Sequence, residues 1–175
     1  MPSVSLVGSR ALKERNRRFA REVGIQAAKQ GFALISGNAR GADSAAQDAC
    51  LEAGGYVVSV LADSLNEYCP DAHRLDLSED DYDECFSVLR ALHRNRVIHA
   101  LSDGVFVAQC TLERGGTWDG SVQNLRKSWS NLYCFRDGSP AADVLEQMGA
   151  FLIDEKMLAD FRALPTRQPS LFHMR

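Results

Sequence analysis

Ser36-Gly37-Asn38-Ala39-Arg40-Gly41-Ala42-Asp43 is the stretch that decides the fold. Before it lies Phe32-Ala33-Leu34-Ile35, an apolar run with the length of a fully buried parallel strand. After it, Ser44-Ala45-Ala46-Gln47-Asp48-Ala49-Cys50-Leu51 reads as a helix. The glycines therefore occupy a strand-to-helix turn. In a doubly wound sheet such turns lie at the carboxyl ends of the strands, where free N–H groups and the dipole of the next helix favour an anion. Gly37 and Gly41 let a ligand approach the backbone, Arg40 adds positive charge, and Asp43 can cap the helix or accept hydrogen bonds from a sugar or base. A tight turn that binds nothing is the simpler reading. It loses weight because the chain offers two more turns of the same kind.

Upstream, Val4-Ser5-Leu6-Val7 is a short strand ending at Gly8-Ser9-Arg10, followed by an amphipathic helix over about 12–30 that Gly31 closes. Downstream, the second helix ends near Gly54-Gly55 and Tyr56-Val57-Val58-Ser59-Val60-Leu61 is a third buried strand. This β-α-β-α-β order implies right-handed crossovers, hence a Rossmann-like three-layer α/β/α sandwich around a mostly parallel sheet. The segment from Asp63 to Glu84 reads as a long connection ending in an acidic, solvated loop. A helical pattern over 85–101 contains His93-Arg94-Asn95-Arg96. Asp103–Cys110 is a fourth strand, and its glycine turn, Gly115-Gly116-Thr117, opens a helix over about 118–127. Leu132–Phe135, a helix over 141–148 and the apolar Ala150–Ile153 complete the domain.

A length of 175 residues with 45% apolar content suits one domain, expected over 1–163, with a flexible tail over 164–175. The net charge of -3 argues against non-specific coating of nucleic acid, so phosphate contacts must come from a local patch. Cys50, Cys69, Cys85, Cys110 and Cys134 are odd in number and contain no C-x-x-C pair, which reads as reduced thiols of a cytoplasmic protein. No secretory leader or bilayer-length apolar run is visible.

The three glycine turns all follow strands and so open on one edge of the sheet, where Arg94 and Arg96 are expected to join them. Their sum is a concave anion pocket for a phosphorylated ligand, either a nucleotide or a single strand of nucleic acid. His73, His93, His99 and His173 lack metal-ligand spacing, and neither Ser9 nor Ser36 sits in a G-x-S-x-G elbow. The chain has no G-x-x-x-x-G-K-[ST] and no G-x-G-x-x-G. No catalytic residue, metal or cofactor is therefore assigned.

Gly8-Ser9-Arg10, Ser36-Gly37-x-Ala39-Arg40-Gly41-x-Asp43, Tyr68-x-Pro70, Arg94-Asn95-Arg96-Val97-Ile98 and Gly115-Gly116-Thr117 stand in an order that resembles the Rossmann-like domain of the DprA/Smf DNA-processing proteins. The wider superfamily includes the LOG-type nucleotide phosphoribohydrolases. The similarity covers roughly 3–153. It implies single-stranded DNA binding in a basic pocket, homodimerisation, and delivery of the strand to a recombinase during transformation or repair. By position it offers Gly8, Ser9, Arg10, Ser36, Gly37, Asn38, Arg40, Arg94 and Arg96 as DNA contacts, with Ala39, Gly41, Asp43, Asn95, Gly115, Gly116 and Thr117 completing the pocket. Departures are Gly115-Gly116 in place of a Ser-Gly pair and Ala42 in place of Ile. The family's flanking helical and winged-helix modules are not found in the sequence, so a minimal core is expected.

The superfamily also implies two alternatives. A phosphoribohydrolase would use a P-G-G-x-G-T-x-x-E turn, but here the proline is missing and Gly120 stands at the glutamate position; Asp119 could replace it only through a loop shift. A sensor of a nucleotide-derived signal would keep the pocket without DNA or catalysis. Last, Gln168-Pro169-Ser170-Leu171-Phe172 is similar to the Q-x-x-L-F peptides that dock on bacterial sliding clamps, with Gln168 at the rim and Leu171 and Phe172 as apolar anchors.

Overall fold

The computed structural model describes residues 1–68, 71–81 and 83–167. The elements are β1 (Ser3–Val7), α1 (Glu14–Gln30), β2 (Ala33–Ser36), α2 (Ala42–Glu52), β3 (Tyr56–Leu61), β4 (Arg74–Ser78), α3 (Val88–Ala100), β5 (Gly104–Val107), α4 (Gly115–Lys127), β6 (Asn131–Phe135), α5 (Pro140–Gln147) and β7 (Phe151–Ile153). Three short 3₁₀ turns lie at Leu65–Glu67, Glu155–Ala159 and Phe161–Ala163. All seven strands are parallel, in the order β4-β3-β2-β1-β5-β6-β7. The direction of winding reverses beside β1. The crevice between the ends of β1 and β5 is thus the topological switch point, where open α/β sheets bind ligands.

Strand residues alternate between two apolar layers because successive side chains leave opposite faces of the sheet. Leu6, Leu34, Phe106, Tyr133 and Phe135 pack with Phe19 and Val23 of α1, with Ala42, Ala45 and Ala46 of α2, and with Phe161 and Leu164. Val7, Ile35, Val105, Val107, Leu132 and Cys134 pack with Ile98 of α3, Leu125 of α4 and Leu145 of α5. Gly31 ends α1 in the left-handed region at φ 73°, with its N–H bonded back to Ala27 and Ala28.

The structure adds a strand that the sequence reading placed inside the long connection. β4, an edge strand, carries Arg74 and Asp76 on its more covered face, where the two charges neutralise each other, and turns Leu75 to water. Arg74 Nε and Asp76 Oδ1, two residues apart and so on one face, pair at 2.8 Å. α3 starts later than expected: the Ser87 hydroxyl accepts the Arg90 N–H at 3.1 Å and caps the helix. Leu164 to Arg167, placed in the tail by sequence, are held to the domain. Leu164 is buried, Tyr133 donates to the Pro165 carbonyl at 3.0 Å, and the Arg167 guanidinium donates to Gly149 O at 2.8 Å. Gln168, Leu171 and Phe172 lie outside the described residues. No described helix is long and apolar enough to cross a membrane.

Candidate nucleic-acid interface

The turn after β1 is set by its neighbours. Ser9 donates both its N–H, at 2.9 Å, and its hydroxyl, at 3.1 Å, to the carbonyl of Gln109 at the end of β5. The Gln109 side chain then donates to Ala11 O and accepts from Lys13 N–H, at 3.1 and 3.0 Å. One glutamine therefore clips the loop that carries Arg10 onto the neighbouring strand. Gly41, at φ 95°, lies against the same loop, and a Cβ there would sit 2.6 Å from Arg10 Cα. Its conformation and its contact both require glycine.

The turn after β2 is braced from within. One Asp43 oxygen accepts the N–H groups of Gly37 and Ala39, at 3.1 and 3.3 Å, so this carboxylate shapes the turn instead of capping α2. Beneath it the Arg94 guanidinium donates to the carbonyls of Gly37 and Val60. It occupies the space a side chain at Gly37 would need. Burial pushes the Asp43 carboxyl up to about 6, against the pull of Arg94, and burial lowers Arg94, against the pull of Asp43. Arg94 Nε has no hydrogen-bond partner among the described residues.

The turn after β5 opens α4 at Gly115. Gly116 faces Asn95 of α3, where an added Cβ would lie 2.6 Å from the amide nitrogen. Between the three turns lies a cleft of two adjoining compartments. The first, about 540 Å³, runs between the turns after β1 and β5 and is lined by Gly8, Ser9, Asp43, Asn95, Arg114, Gly115, Gly116 and Thr117. The second, about 570 Å³, runs from the turn after β2 to the segment after β3 and is lined by Gly37, Asn38, Arg40, Asp63 and Tyr68. Arg10, Ala39, Phe86 and Arg94 line both.

Three of the residues singled out from the sequence line neither compartment. Ser36 is buried, and its hydroxyl accepts from Gln47 Nε2 at 2.7 Å. Gly41 is spent on packing the two turns together. Arg96 does not join the pocket as expected; it is exposed and donates to His93 O at 3.3 Å. Arg94 and Arg96 are two helical residues apart, about 200° around the axis, so one cannot share the other's surroundings. Arg94 falls on the buried face with Ile98. Conversely, the reading from sequence missed Gln109, Phe86, Asp63 and Arg114. Phe86, 52% exposed at the junction of the compartments, precedes α3 with no local signal.

Fold and cleft define a doubly wound α/β domain with an arginine-lined cleft at its switch point. The family model of DNA recombination-mediator protein A matches residues 1–125, and the chain belongs to that family. It is 30% identical to the DNA processing protein DprA of Streptococcus pneumoniae over 175 residues, covering 91% of this chain and 62% of that protein. The chain thus spans less than two thirds of that relative's length. The X-ray structure of the same relative superposes with a TM-score of 0.75 at 29% identity, over 87% of this chain and 58% of the other. DNA processing protein A of Helicobacter pylori gives the same TM-score at 24% identity, over 87% and 75% of the two chains.

Proposed function

We propose that the cleft binds single-stranded DNA and that the protein acts in DNA processing or recombination. The observation that carries this reading is the convergence of Arg10, Arg40, Arg94 and Arg114 on a cleft whose two compartments meet at exposed Phe86. The exposed Arg10, Arg40 and Arg114 and the N-terminus of α4 suit phosphates, and an exposed aromatic ring suits the face of an unstacked base, which a duplex does not present. Two compartments side by side match successive nucleotides better than one small ligand. The Helicobacter pylori relative, described for its single-stranded DNA binding mode, supports the same assignment.

The phosphoribohydrolase alternative lacks its acid. A Cβ at Gly120 would sit 2.9 Å from His99 Nε2, away from the cleft, and the Asp119 carboxylate accepts from Gln123 at 2.6 Å on the exposed face of α4. Fluorescence anisotropy with a 15-nucleotide strand, its duplex and a set of mononucleotides tests the proposal. The strand should bind at least ten-fold tighter than the duplex, with a log–log salt slope of roughly -2 to -3 for three or four phosphate contacts. Equal binding of strand and duplex, or a salt slope near zero, would overturn it. Homodimerisation is a separate matter, checked by light scattering against the 19.3 kDa of one chain.

A further inference from the structure

The second compartment holds a carboxylate where a phosphate site should hold none. Asp63 lies beyond the end of β3, half-buried, and forms no salt bridge among the described residues. Its oxygens accept from the Tyr68 hydroxyl at 3.2 and 3.4 Å, both long, and Asn38 Nδ2 donates to the same hydroxyl at 3.4 Å. The Tyr68 ring is fixed from behind by Arg74, whose guanidinium carbon lies 5.4 Å from the ring centre. Burial and the Asp63 charge both raise the Tyr68 phenol, which therefore stays a donor and keeps the carboxylate oriented. The two Asp43 amide bonds give that acid a purpose inside the turn. Asp63 accepts no backbone N–H of that kind among the described residues; its charge favours the Arg94 guanidinium, and it lines the compartment.

We propose that this compartment reads a base and selects guanine, through Asp63 held by Tyr68 and Asn38, while the first compartment holds the neighbouring phosphate. The inference rests on the single-strand reading given above. A carboxylate offers only acceptors. Guanine presents two adjacent donors, N1–H and the N2 amine, and so can meet both oxygens at once. Thymine flanks its single N–H with carbonyl oxygens, and adenine and cytosine place a ring-nitrogen acceptor beside the amine. Each of these three would bring a lone pair against the carboxylate, and a buried mismatch of that kind discriminates strongly. Arg10 and Arg40, which line the same compartment, can hold the flanking phosphates. Phe86 offers a stacking surface at its mouth.

The test uses the full chain and three labelled ten-nucleotide strands: all thymine, and the same strand with one central guanine or one central hypoxanthine, which lacks the N2 amine. The guanine strand should bind at least five-fold tighter than the all-thymine strand, and hypoxanthine should lose most of that gain. Asp63→Asn, of the same shape, should abolish the preference by lowering guanine affinity about 2.5-fold and raising all-thymine affinity about two-fold, because a negative charge leaves the phosphate path. Tyr68→Phe keeps the carboxylate but frees it to rotate, and should reduce the preference by a smaller factor. Guanosine monophosphate should compete better than thymidine monophosphate, yet far less well than the strand; full displacement by the mononucleotide at strand-like concentrations would assign the compartment to a free nucleotide and overturn the proposal. Equal binding of the three strands by the parent protein, or an Asp63→Asn variant that weakens all three equally, would overturn base selection and leave strand binding intact. Failure of every strand to bind would overturn the single-strand reading, and base selection with it.

Discussion

Two buried polar side chains project from α3, Arg94 and His99, and the comparison between them separates binding from scaffolding. Each fills the space above a glycine: Arg94 above Gly37, His99 above Gly120. Each leaves one nitrogen without a hydrogen-bond partner among the described residues. Around His99 the partners are neutral. Asn124 meets His99 Nδ1 at 3.2 Å and the Ser130 hydroxyl at 3.0 Å, and that hydroxyl donates to His99 O at 2.9 Å, a closed set tying α3 to α4 and the start of β6. Around Arg94 the partners are two carbonyls and the Asp43 charge, and the group forms the floor of the cleft. The same device, a side chain in a glycine gap, thus closes the core near the C-terminal end of α3 and builds a charged site at its middle.

The sharpest break in this comparison is removal of the charge. Arg94→Met leaves two buried carbonyls without a donor and Asp43 without its counter-charge, and should cost about 3–5 kcal/mol of stability in urea unfolding together with most strand binding. His99→Gln should cost less and leave binding within two-fold. If the two variants lose equal stability and equal affinity, the two sites on α3 do not differ as described.

Titration distinguishes the same two centres with opposite sign. The Asp43 carboxyl is raised from 3.8 to about 6 in the fold, so the folded state holds the extra proton between those values; stability from this group is full below about 4 and falls as pH rises to about 6. His99 is lowered from 6.5 to about 4 by burial, so the unfolded state holds the extra proton; stability from this group is full above about 6.5 and falls as pH drops to about 4. Each shift corresponds to about 3 kcal/mol, and the two nearly cancel in the parent protein. Asp43→Asn should therefore gain stability with rising pH between 4 and 6.5, whereas His99→Gln should lose it. Unfolding profiles that run parallel in the two variants would refute the assignment.

The glycines give smaller effects of the same kind. Gly37→Ala must push the Arg94 guanidinium off its carbonyls and should lower both stability and binding. Gly120→Ala presses on the His99 ring and should lower stability alone, by about 1–3 kcal/mol as overpacking usually does. Circular-dichroism melting beside strand titration reads both quantities.

Much of this organisation was legible because it rests on punctuation. Apolar runs such as Leu34-Ile35 and Val105-Phe106-Val107, each leading into a glycine-bearing turn before a helix, can form little but buried parallel strands with open turns. β4 was not legible, since an edge strand keeps the charges that usually mark a loop. The inward course of Arg94 was available in principle: its four-residue spacing from Ile98 puts it on the apolar face, and helical phase alone separates it from Arg96. Asp63, Phe86 and Gln109 carried no local signal. Their roles come from strands and turns that meet only in the folded sheet, as when Gln109 at the end of β5 clips a loop about a hundred residues earlier.

The smallest expected effect is the one that separates the cleft from the remaining surface. Arg40 is exposed at the rim of the second compartment, and Arg96 is exposed outside both. The sequence alone treats them as equals, two arginines in two matching motifs. Exposed charges contribute little to folding, so neither Arg40→Ala nor Arg96→Ala should move stability by more than about 0.5 kcal/mol. Binding should part them. Arg40→Ala removes one phosphate contact with its released counterion, weakening the strand by about 1 kcal/mol and flattening the salt slope by about 0.7. Arg96→Ala should leave both affinity and slope unchanged. A salt slope that flattens equally in the two variants would mean that the strand path runs over the outer face of α3, and that the floor built by Arg94 lies beside the binding surface instead of beneath it.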